Sequence, residues 1–184
     1  MTQLFRPISE SYWVLPGRFL AGEYPARFEQ EVTRKRMDAF IEAGFNMFID
    51  LTKLSEMVPY SGILREQSKA YRVDVIHLRY PITDFGLPTF EQMNSILDKL
   101  DNSLAAGHKI YLHCWGGIGR TGTTVGCYLV RQGMTGEEAL EQLSMWWRGV
   151  PKSLYHTHSP ETREQMDFIL NWAAYDVNIP KTDK

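Results

Sequence analysis

A cysteine and an arginine flank a glycine-rich segment whose composition suits the binding of an anion. Cys114 and Arg120 are separated by five residues, and three of those five are glycines. Glycine lets successive backbone N–H groups point inward without a Cβ clash, and such a ring of donors binds phosphate, above all at a helix N-terminus. The planar guanidinium of the arginine can hold two phosphate oxygens at once. The spacing therefore indicates a phosphate site with a thiol inside it.

The same segment suits nucleophilic chemistry at phosphorus. A helix N-terminus and a nearby cation both favour the thiolate form of a cysteine, which is the form that attacks. We therefore predict that Cys114 attacks the phosphorus atom while Arg120 clamps the phosphoryl oxygens. Thr121 is predicted to donate a hydrogen bond to the sulfur and to assist its departure. The predicted phosphate-binding residues are Trp115, Gly116, Gly117, Ile118, Gly119 and Arg120.

Turn and cap signals divide the chain into short elements around this segment. Pro16-Gly17 predicts a turn between two short strands. Thr89 and Thr135 are each followed three residues later by a glutamine or glutamate, which predicts two helix starts. Ser159-Pro160 predicts the start of the last helix, because proline is favoured at the first helical position.

The order of these elements predicts the fold class. Residues 110–113 form an apolar strand directly before the cysteine, and the glycines lead into a helix. Strands alternate with helices along the whole chain, which predicts an α/β fold with a central, mostly parallel sheet flanked by helices on both faces. We expect one domain over residues 1–184, with a core of about residues 12–175.

Composition and charge narrow the functional classes. The chain is 43% hydrophobic and 23% charged, as is usual for a globular domain, and its net charge of −2 argues against a nucleic-acid binder. The first residues contain no apolar signal region, and no segment has the ~18 apolar residues that span a bilayer. A cytoplasmic location without a membrane partner is therefore expected. Two cysteines make no disulfide framework, and Cys127 is expected in the core.

The run HCWGGIGRTG, residues 113–122, resembles the signature loop of cysteine-dependent protein-tyrosine and dual-specificity phosphatases. Its form is closest to the kinase-associated and dual-specificity branch, and the resemblance extends from about Tyr12 to Trp172. It implies a hydrolase that needs no metal or cofactor and works through a cysteinyl-phosphate intermediate. The implied substrates are phosphotyrosine and also phosphoserine or phosphothreonine in proteins or peptides. Phosphate, sulfate or vanadate is expected to bind in the loop.

The mechanism of that family needs a general acid on a separate loop, before the helix that precedes the signature strand. Residues 81–88, here called the acid loop, occupy that place, and Asp84 is their only carboxylate. The resemblance therefore implies that Asp84 protonates the leaving oxygen and then acts as base toward water. His113 is expected to support the signature loop through hydrogen bonds. Gln165 resembles a family position that helps to place the hydrolytic water.

Two other functions stay open on the sequence alone. Phosphoinositide and inositol-phosphate phosphatases can share the ending GRTG, but they usually carry lysines within the loop, and residues 115–119 contain none. A phosphate-binding module without turnover typically lacks the cysteine, the arginine or the acid, and all three are present here. His156 and His158 have no further ligands nearby, which favours a surface loop over a metal site. Tyr60, Phe85 and Trp115 are candidates for contact with a substrate ring, and packing in the core explains them equally well.

Overall fold

The computed structural model describes residues 4–176. The strands are β1 (Ser11–Leu15), β2 (Phe19–Gly22), β3 (Met47–Asp50), β4 (Ile76–Arg79) and β5 (Ile110–His113). The helices are α1 (Gln30–Glu42), α2 (Ser61–Tyr71), α3 (Phe90–Ala105), α4 (Gly119–Arg131), α5 (Gly136–Trp147) and α6 (Arg163–Leu170). Two short 3₁₀ turns cover Pro151–Leu154 and Trp172–Ala174. Within residues 4–176 no helix is both long enough and apolar enough to cross a bilayer.

The five strands form one sheet in the order β1-β2-β5-β3-β4. β1 pairs antiparallel with β2, whereas β2 with β5, β5 with β3 and β3 with β4 all pair parallel. The predicted α/β class with a mostly parallel sheet is therefore confirmed. β5 is the central strand, and it leads directly into the predicted nucleophile.

Helices cover both faces of this sheet, as expected. Successive side chains of a strand point to opposite faces, and β5 shows this clearly. Ile110 and Leu112 belong to an apolar cluster with residues of α3, α4, α5 and α6, while Tyr111 belongs to a second cluster with residues of α1 and α2. All residues of β5 are fully buried, so its end is held rigidly between the two layers.

The turn and the first two helix caps form as predicted. Pro16-Gly17 connects β1 to β2, and Gly17 has a φ of 75°, which glycine adopts without strain. The Thr89 side chain accepts a hydrogen bond from the backbone of Gln92 at the start of α3. Thr135 and Glu138 form both halves of a capping box at the start of α5.

The predicted start of the last helix is wrong. α6 begins at Arg163 and not at Ser159-Pro160, because Thr162 and Gln165 form a complete capping box just before it. The Ser159 hydroxyl instead donates a hydrogen bond, 2.9 Å long, to the carbonyl oxygen of Ile118. The segment read as a helix start therefore contacts the loop that follows β5.

Candidate active site

The loop between β5 and α4, residues 114–118, is here called the glycine loop. Gly117 has a φ of 75°, and a Cβ at this position would lie 2.5 Å from the carbonyl carbon of Gly22. A Cβ on Gly119, the first residue of α4, would lie 2.9 Å from the side-chain amide of Gln165. Gly117 therefore needs glycine, because of its backbone angle and because backbone atoms approach it closely, whereas a side chain at Gly119 would displace the Gln165 amide.

The first three carbonyl oxygens of the glycine loop, those of residues 114–116, are bonded to groups outside the loop. The Trp115 carbonyl accepts from the Tyr24 backbone N–H at 2.8 Å, and the Gly116 carbonyl accepts from Lys152 Nζ at 3.1 Å. His113 Nδ1 lies 3.2 Å from the Cys114 carbonyl oxygen. These contacts tie the acceptor side of the loop to the surrounding protein.

The donor side of the loop differs. In the stretch from residue 4 to residue 176, the backbone N–H groups of residues 115–121 have no protein acceptor. The first four N–H groups of any helix lack an intrahelical acceptor, which accounts for residues 118–121, and residues 115–117 extend this row of donors into the loop. Together they offer a binding site to an anion. The run ends on the first turn of α4, where the helix dipole also favours negative charge.

A cavity of about 300 Å³ opens on the glycine loop. Cys114, Arg120 and Asp84 all line it, so the fold brings the predicted nucleophile, clamp and acid together. Cys114 is buried, with an exposed fraction of 2%. Phe85 and Trp115 also line the cavity and are 60% and 55% exposed, which suits both for contact with a substrate ring.

Arg120 is buried between two carboxylates. Its Nη1 lies 2.7 and 3.0 Å from the two carboxylate oxygens of Glu56, and its Nη2 lies 2.8 Å from Asp84 Oδ1. Burial alone would lower the pKa of this guanidinium, but its neighbours Cys114, Glu56 and Asp84 raise it above its usual value. The clamp is thus a permanent cation, fixed in place by Glu56 and facing the cavity.

The acid loop is a tight turn that presents Asp84 to the cavity. Phe85 has a φ of 57°, which is uncommon for a bulky residue, and the Gly86 N–H closes the turn by donating to the Thr83 carbonyl at 2.9 Å. The Gly86 carbonyl in turn accepts from Gln165 Nε2 at 3.3 Å. The position of Asp84 is therefore set by its own turn and by α6.

Gln165 joins three parts of the site. Its Oε1 accepts from the backbone N–H groups of Glu161 and Thr162, at 3.1 and 3.2 Å, while its Nε2 bonds to the acid loop. The same amide packs against Gly119 at the start of α4. Its predicted role with water stays a prediction, because each end of the amide already has a protein partner.

Next to Cys114, His113 is fully buried and held by a second residue. Its Nε2 lies 2.7 Å from the Tyr60 hydroxyl oxygen. Burial lowers the pKa of His113 to about 4, although the nearby Asp50 carboxylate opposes this shift. The imidazole is therefore neutral at neutral pH. Tyr60 belongs to the apolar cluster beneath the sheet, so the expectation that it contacts a substrate ring is wrong.

Asp50 supplies a buried negative charge at the ends of β3, β4 and β5. It pairs with Arg79 at 2.7 Å, and Thr52 donates to it through both its backbone N–H and its hydroxyl. Burial would raise the pKa of Asp50, but His77, His113 and Thr52 together hold it well below its usual value. The carboxylate is thus always ionised and fixes the polar layer behind the glycine loop.

The remaining predicted residues have simpler surroundings. The Thr121 side chain is fully buried, and its hydroxyl lies 3.5 Å from the Gly22 carbonyl, so its bond to the sulfur stays a prediction. Cys127 lies in the apolar core, as expected, and burial raises its pKa well above the usual value. His156 lines the cavity and His158 is exposed. No group of three or more metal-ligating side chains occurs in the described part of the chain.

Sequence reasoning missed two residues of the site. Glu56 lies in a segment without periodicity, 64 positions before the arginine that it holds. Lys152 lies in the 3₁₀ turn after α5, and its Nζ also pairs with Glu23 at 2.8 Å. Neither residue belongs to a local motif, and the only available signal was their charge.

The fold and the site both point to one class of protein. The family model described as "Polymorphic toxin system, DSP-PTPase phosphatase" (Tc-R-P) matches residues 26–134, which is more than half of the chain. The chain therefore belongs to this family of cysteine-dependent dual-specificity phosphatases.

Curated relatives are more distant. An uncharacterized protein of Methanocaldococcus jannaschii is 29% identical over 102 residues, which are 55% of this chain and 63% of that protein. The chain thus spans less than two thirds of the length of this relative. Tyrosine-protein phosphatase cdc-14 of Caenorhabditis elegans is 26% identical over 169 residues, which are 90% of this chain and 22% of that protein.

Solved structures share the fold. Tk-PTP in its active form has a TM-score of 0.65 at 24% identity, over 88% of this chain and 94% of that one. Pseudomonas aeruginosa TpbA in complex with phosphotyrosine has a TM-score of 0.67 at 15% identity, over 98% and 96%. PTPMT1 in complex with PI(5)P has a TM-score of 0.63 at 16% identity, over 89% and 94%. At these identities the similarity is one of fold.

Proposed function

We propose that the protein hydrolyses phosphomonoesters in protein substrates, phosphotyrosine first and phosphoserine or phosphothreonine as well. One observation carries this proposal: the unpaired N–H groups of residues 115–121 adjoin a cavity that also holds Cys114, Arg120 and Asp84. The donors and the guanidinium match a phosphoryl group, the thiol supplies a nucleophile, and the carboxyl supplies a proton. A module that only binds phosphate would need the N–H donors and the guanidinium, but neither the thiol nor the carboxyl.

The first step forms a bond between sulfur and phosphorus. The Cys114 thiolate attacks the phosphorus atom, the bond from phosphorus to the leaving oxygen breaks, and Asp84 gives its proton to that oxygen. The charge that develops on the phosphoryl oxygens meets the loop N–H groups and Arg120, which are already oriented. Since Asp84 bonds to Arg120 Nη2 in the free protein, an incoming phosphate oxygen takes this place and releases the carboxyl toward the leaving group.

The second step restores the enzyme. Asp84 accepts a proton from water, the water oxygen attacks phosphorus, and the sulfur–phosphorus bond breaks to return a thiolate and inorganic phosphate. A hydrogen bond from Thr121 would stabilise the departing sulfur. Gln165, which holds the acid loop against α4, keeps Asp84 at the correct distance from that water.

Exposed aromatic side chains support an aryl substrate. Phe85 and Trp115 stand beside the cavity mouth with most of their surface free, and a phosphotyrosine ring can pack between them. The related fold of TpbA binds phosphotyrosine. Serine and threonine phosphates would lack this contact, so we expect them to be slower substrates.

A phosphoinositide or inositol phosphate is the second candidate substrate, and Lys152 favours it. The glycine loop itself contains no lysine, but Lys152 from the segment after α5 lines the cavity and bonds to the Gly116 carbonyl. The related fold of PTPMT1 binds PI(5)P. Lys152 is already paired with Glu23, however, which leaves less of its charge for a second phosphate. The protein substrate is therefore preferred.

The test compares substrate classes on one enzyme preparation. We expect turnover of an aryl phosphate and of phosphotyrosine peptides, inhibition by vanadate, and complete loss of turnover in Cys114→Ser. Hydrolysis of inositol lipids alone would overturn the assignment to protein substrates. Phosphopeptide binding without any turnover of the wild type would instead identify a binding module.

A further inference from the structure

A second cavity, of about 250 Å³, lies beside the first and is here called the side groove. Two segments form it, residues 24–28 after β2 and residues 56–58 before α2. Its volume is below the roughly 300–1,000 Å³ of pockets that enclose a whole small ligand. The side groove therefore suits one part of a larger molecule, such as a single side chain.

The side groove adjoins the catalytic cavity, and two residues lie between them. Tyr24 separates the two, because its backbone N–H bonds to the Trp115 carbonyl at 2.8 Å and its hydroxyl bonds to the Val58 carbonyl at 3.0 Å. Glu56 links the two, since it lines the side groove and bonds to Arg120, which lines the catalytic cavity. A molecule anchored by its phosphate at Arg120 thus extends directly over this groove.

Each of the two charged side chains that line the side groove has a partner of opposite charge. Arg27 pairs with Glu23, and Glu56 pairs with Arg120. The surface that remains for an occupant is apolar. It comes from Ala26, Phe28, Met57 and Val58.

Two of these apolar side chains are open to solvent without an evident structural need. Phe28 is 85% exposed and Val58 is 45% exposed, and the nearby Leu54 is 71% exposed. Exposed apolar surface grouped beside a functional site marks a place where a partner binds. The glycine loop next to it offers the opposite chemistry, a set of polar donors for an anion.

We propose that the side groove binds a bulky apolar side chain that flanks the phosphorylated residue of a protein substrate; this rests on the proposed function. In an extended peptide each residue advances the chain by about 3.3 Å, so a neighbour within a few positions of the phosphoresidue reaches the groove. A free inositol phosphate has no apolar substituent for it. The catalytic cavity therefore binds the phosphate and the side groove binds an apolar side chain of the same peptide.

The test uses phosphotyrosine peptides that differ at one flanking position, leucine against alanine, scanned over three positions on each side. For the wild type we expect kcat/KM to favour leucine at one position by about tenfold, through KM, as burial of such a side chain provides. Phe28→Asp and Val58→Asp should remove this preference. Leu154→Asp is the matched control, because Leu154 is equally apolar and 80% exposed but lies outside the groove.

Three further readouts decide the interpretation. An aryl phosphate reports on the catalytic cavity alone, so an equal loss on aryl phosphate and peptide in Phe28→Asp would mean that the groove only supports the loop, and the inference fails. It also fails if the wild type shows no leucine preference or if both groove variants keep it. A loss confined to phosphoinositide vesicles would make the occupant a lipid chain and overturn it as well.

The inference can be separated from the proposed function. The same peptides are titrated onto Cys114→Ser by calorimetry, which needs no turnover. If the wild type hydrolyses no phosphate ester, the proposed function fails, yet a leucine preference in binding that Phe28→Asp abolishes still supports the groove. Equal affinity for the leucine and alanine peptides would refute the groove even in an active enzyme.

Discussion

The two ends of α4 each carry a buried arginine surrounded by carboxylates, but only one end forms a site. Near the N-terminal end, Arg120 is paired with Glu56 and Asp84, and its side chain is 1% exposed. At the C-terminal end, the Arg131 side chain is 4% exposed. Its carboxylate partners are Asp98, Asp101 and Asp176. By residue type and burial alone the two ends are the same.

The direction of the helix separates them. A cation at the C-terminal end is stabilised by the helix dipole, whereas a cation in the first turn opposes it. Arg131 is therefore held by its carboxylates and by the helix itself. Arg120 adds positive charge where the unpaired N–H groups of residues 115–121 already provide it, beside an open cavity. A buried arginine with acidic partners therefore does not by itself indicate an anion-binding site. Such a site also needs a cavity with an excess of positive potential around it.

The largest expected effect on activity comes from a comparison of the two cysteines, Cys114 before α4 and Cys127 within it. Cys114→Ser should lower kcat on an aryl phosphate by about 10⁵-fold or more, because the hydroxyl is a far weaker nucleophile. Cys127→Ser should leave kcat unchanged and lower the free energy of unfolding by about 1–3 kcal/mol, since it buries a hydroxyl in the core. Steady-state kinetics and urea unfolding measure the two. Substantial activity in Cys114→Ser would remove the proposed nucleophile.

The second effect compares the two arginines directly. Arg120→Lys should lower kcat/KM by about 10²–10³-fold, because an ammonium cannot hold two phosphoryl oxygens in the geometry of a guanidinium. Arg131→Met should leave kcat/KM unchanged but lower the free energy of unfolding by about 3–5 kcal/mol, since the buried Asp176 carboxylate loses its pairing with the guanidinium. If Arg131→Met, while still folded, were the less active of the two, the distinction between the helix ends would be wrong.

The third effect concerns the carboxyl that shares Arg120. Asp84→Asn should lower kcat by about 10²–10³-fold for an alkyl phosphate, whose leaving oxygen needs a proton, and by much less for p-nitrophenyl phosphate. It should also abolish the alkaline limb of the pH–kcat profile. Glu161→Gln is the matched control, because Glu161 lines the same cavity but has no bond to the clamp. An unchanged alkaline limb in Asp84→Asn would eliminate Asp84 as the acid.

The sequence predicts the N-terminal end of α4 well because its signals are local. Cysteine, glycines and arginine lie within seven positions, and the acid loop sits at a fixed place between a strand and a helix. The alternating elements likewise predict the parallel sheet. Burial of a side chain depends on what packs against it, and for this reason Tyr60 was placed wrongly. The start of α6 was also wrong, because the capping box of Thr162 and Gln165 sets it a few residues after Ser159-Pro160.

Contacts between distant segments could not be predicted. Glu56 meets Arg120 across 64 positions and Lys152 meets Gly116 across 36, and neither pair leaves a pattern in the sequence. The side groove likewise forms only when the loop after β2 meets the loop before α2. The chemistry of the site is therefore local in the sequence, whereas its supports and its substrate-facing surroundings are not.

The fourth effect is smaller and concerns Lys152, one of the distant residues that hold the glycine loop in place. Lys152→Met should lower kcat/KM by about tenfold, because the Gly116 carbonyl loses its donor and the neighbouring N–H groups are then less well oriented. The affinity for vanadate should fall in parallel, and Lys152→Arg should restore part of both. Lys69→Met, an exposed lysine on α2, is the control. A change in stability with no change in vanadate affinity would show that Lys152 acts on the fold and not on the loop.

The last effect concerns stability and not catalysis, and it comes from His113, whose ring lies beside Cys114 and has no counterpart at the other end of α4. Its pKa is lowered to about 4 in the folded protein, so between about pH 4 and 6.5 the unfolded chain binds more protons and stability falls as the pH is lowered. From pH 7 to pH 5 this group should lower the free energy of unfolding by about 2 kcal/mol. Urea unfolding should show that His113→Gln loses this dependence, whereas the exposed His158→Gln keeps it. If both variants keep it, folding does not lower the pKa of His113, and burial behind Cys114 does not hold the imidazole neutral.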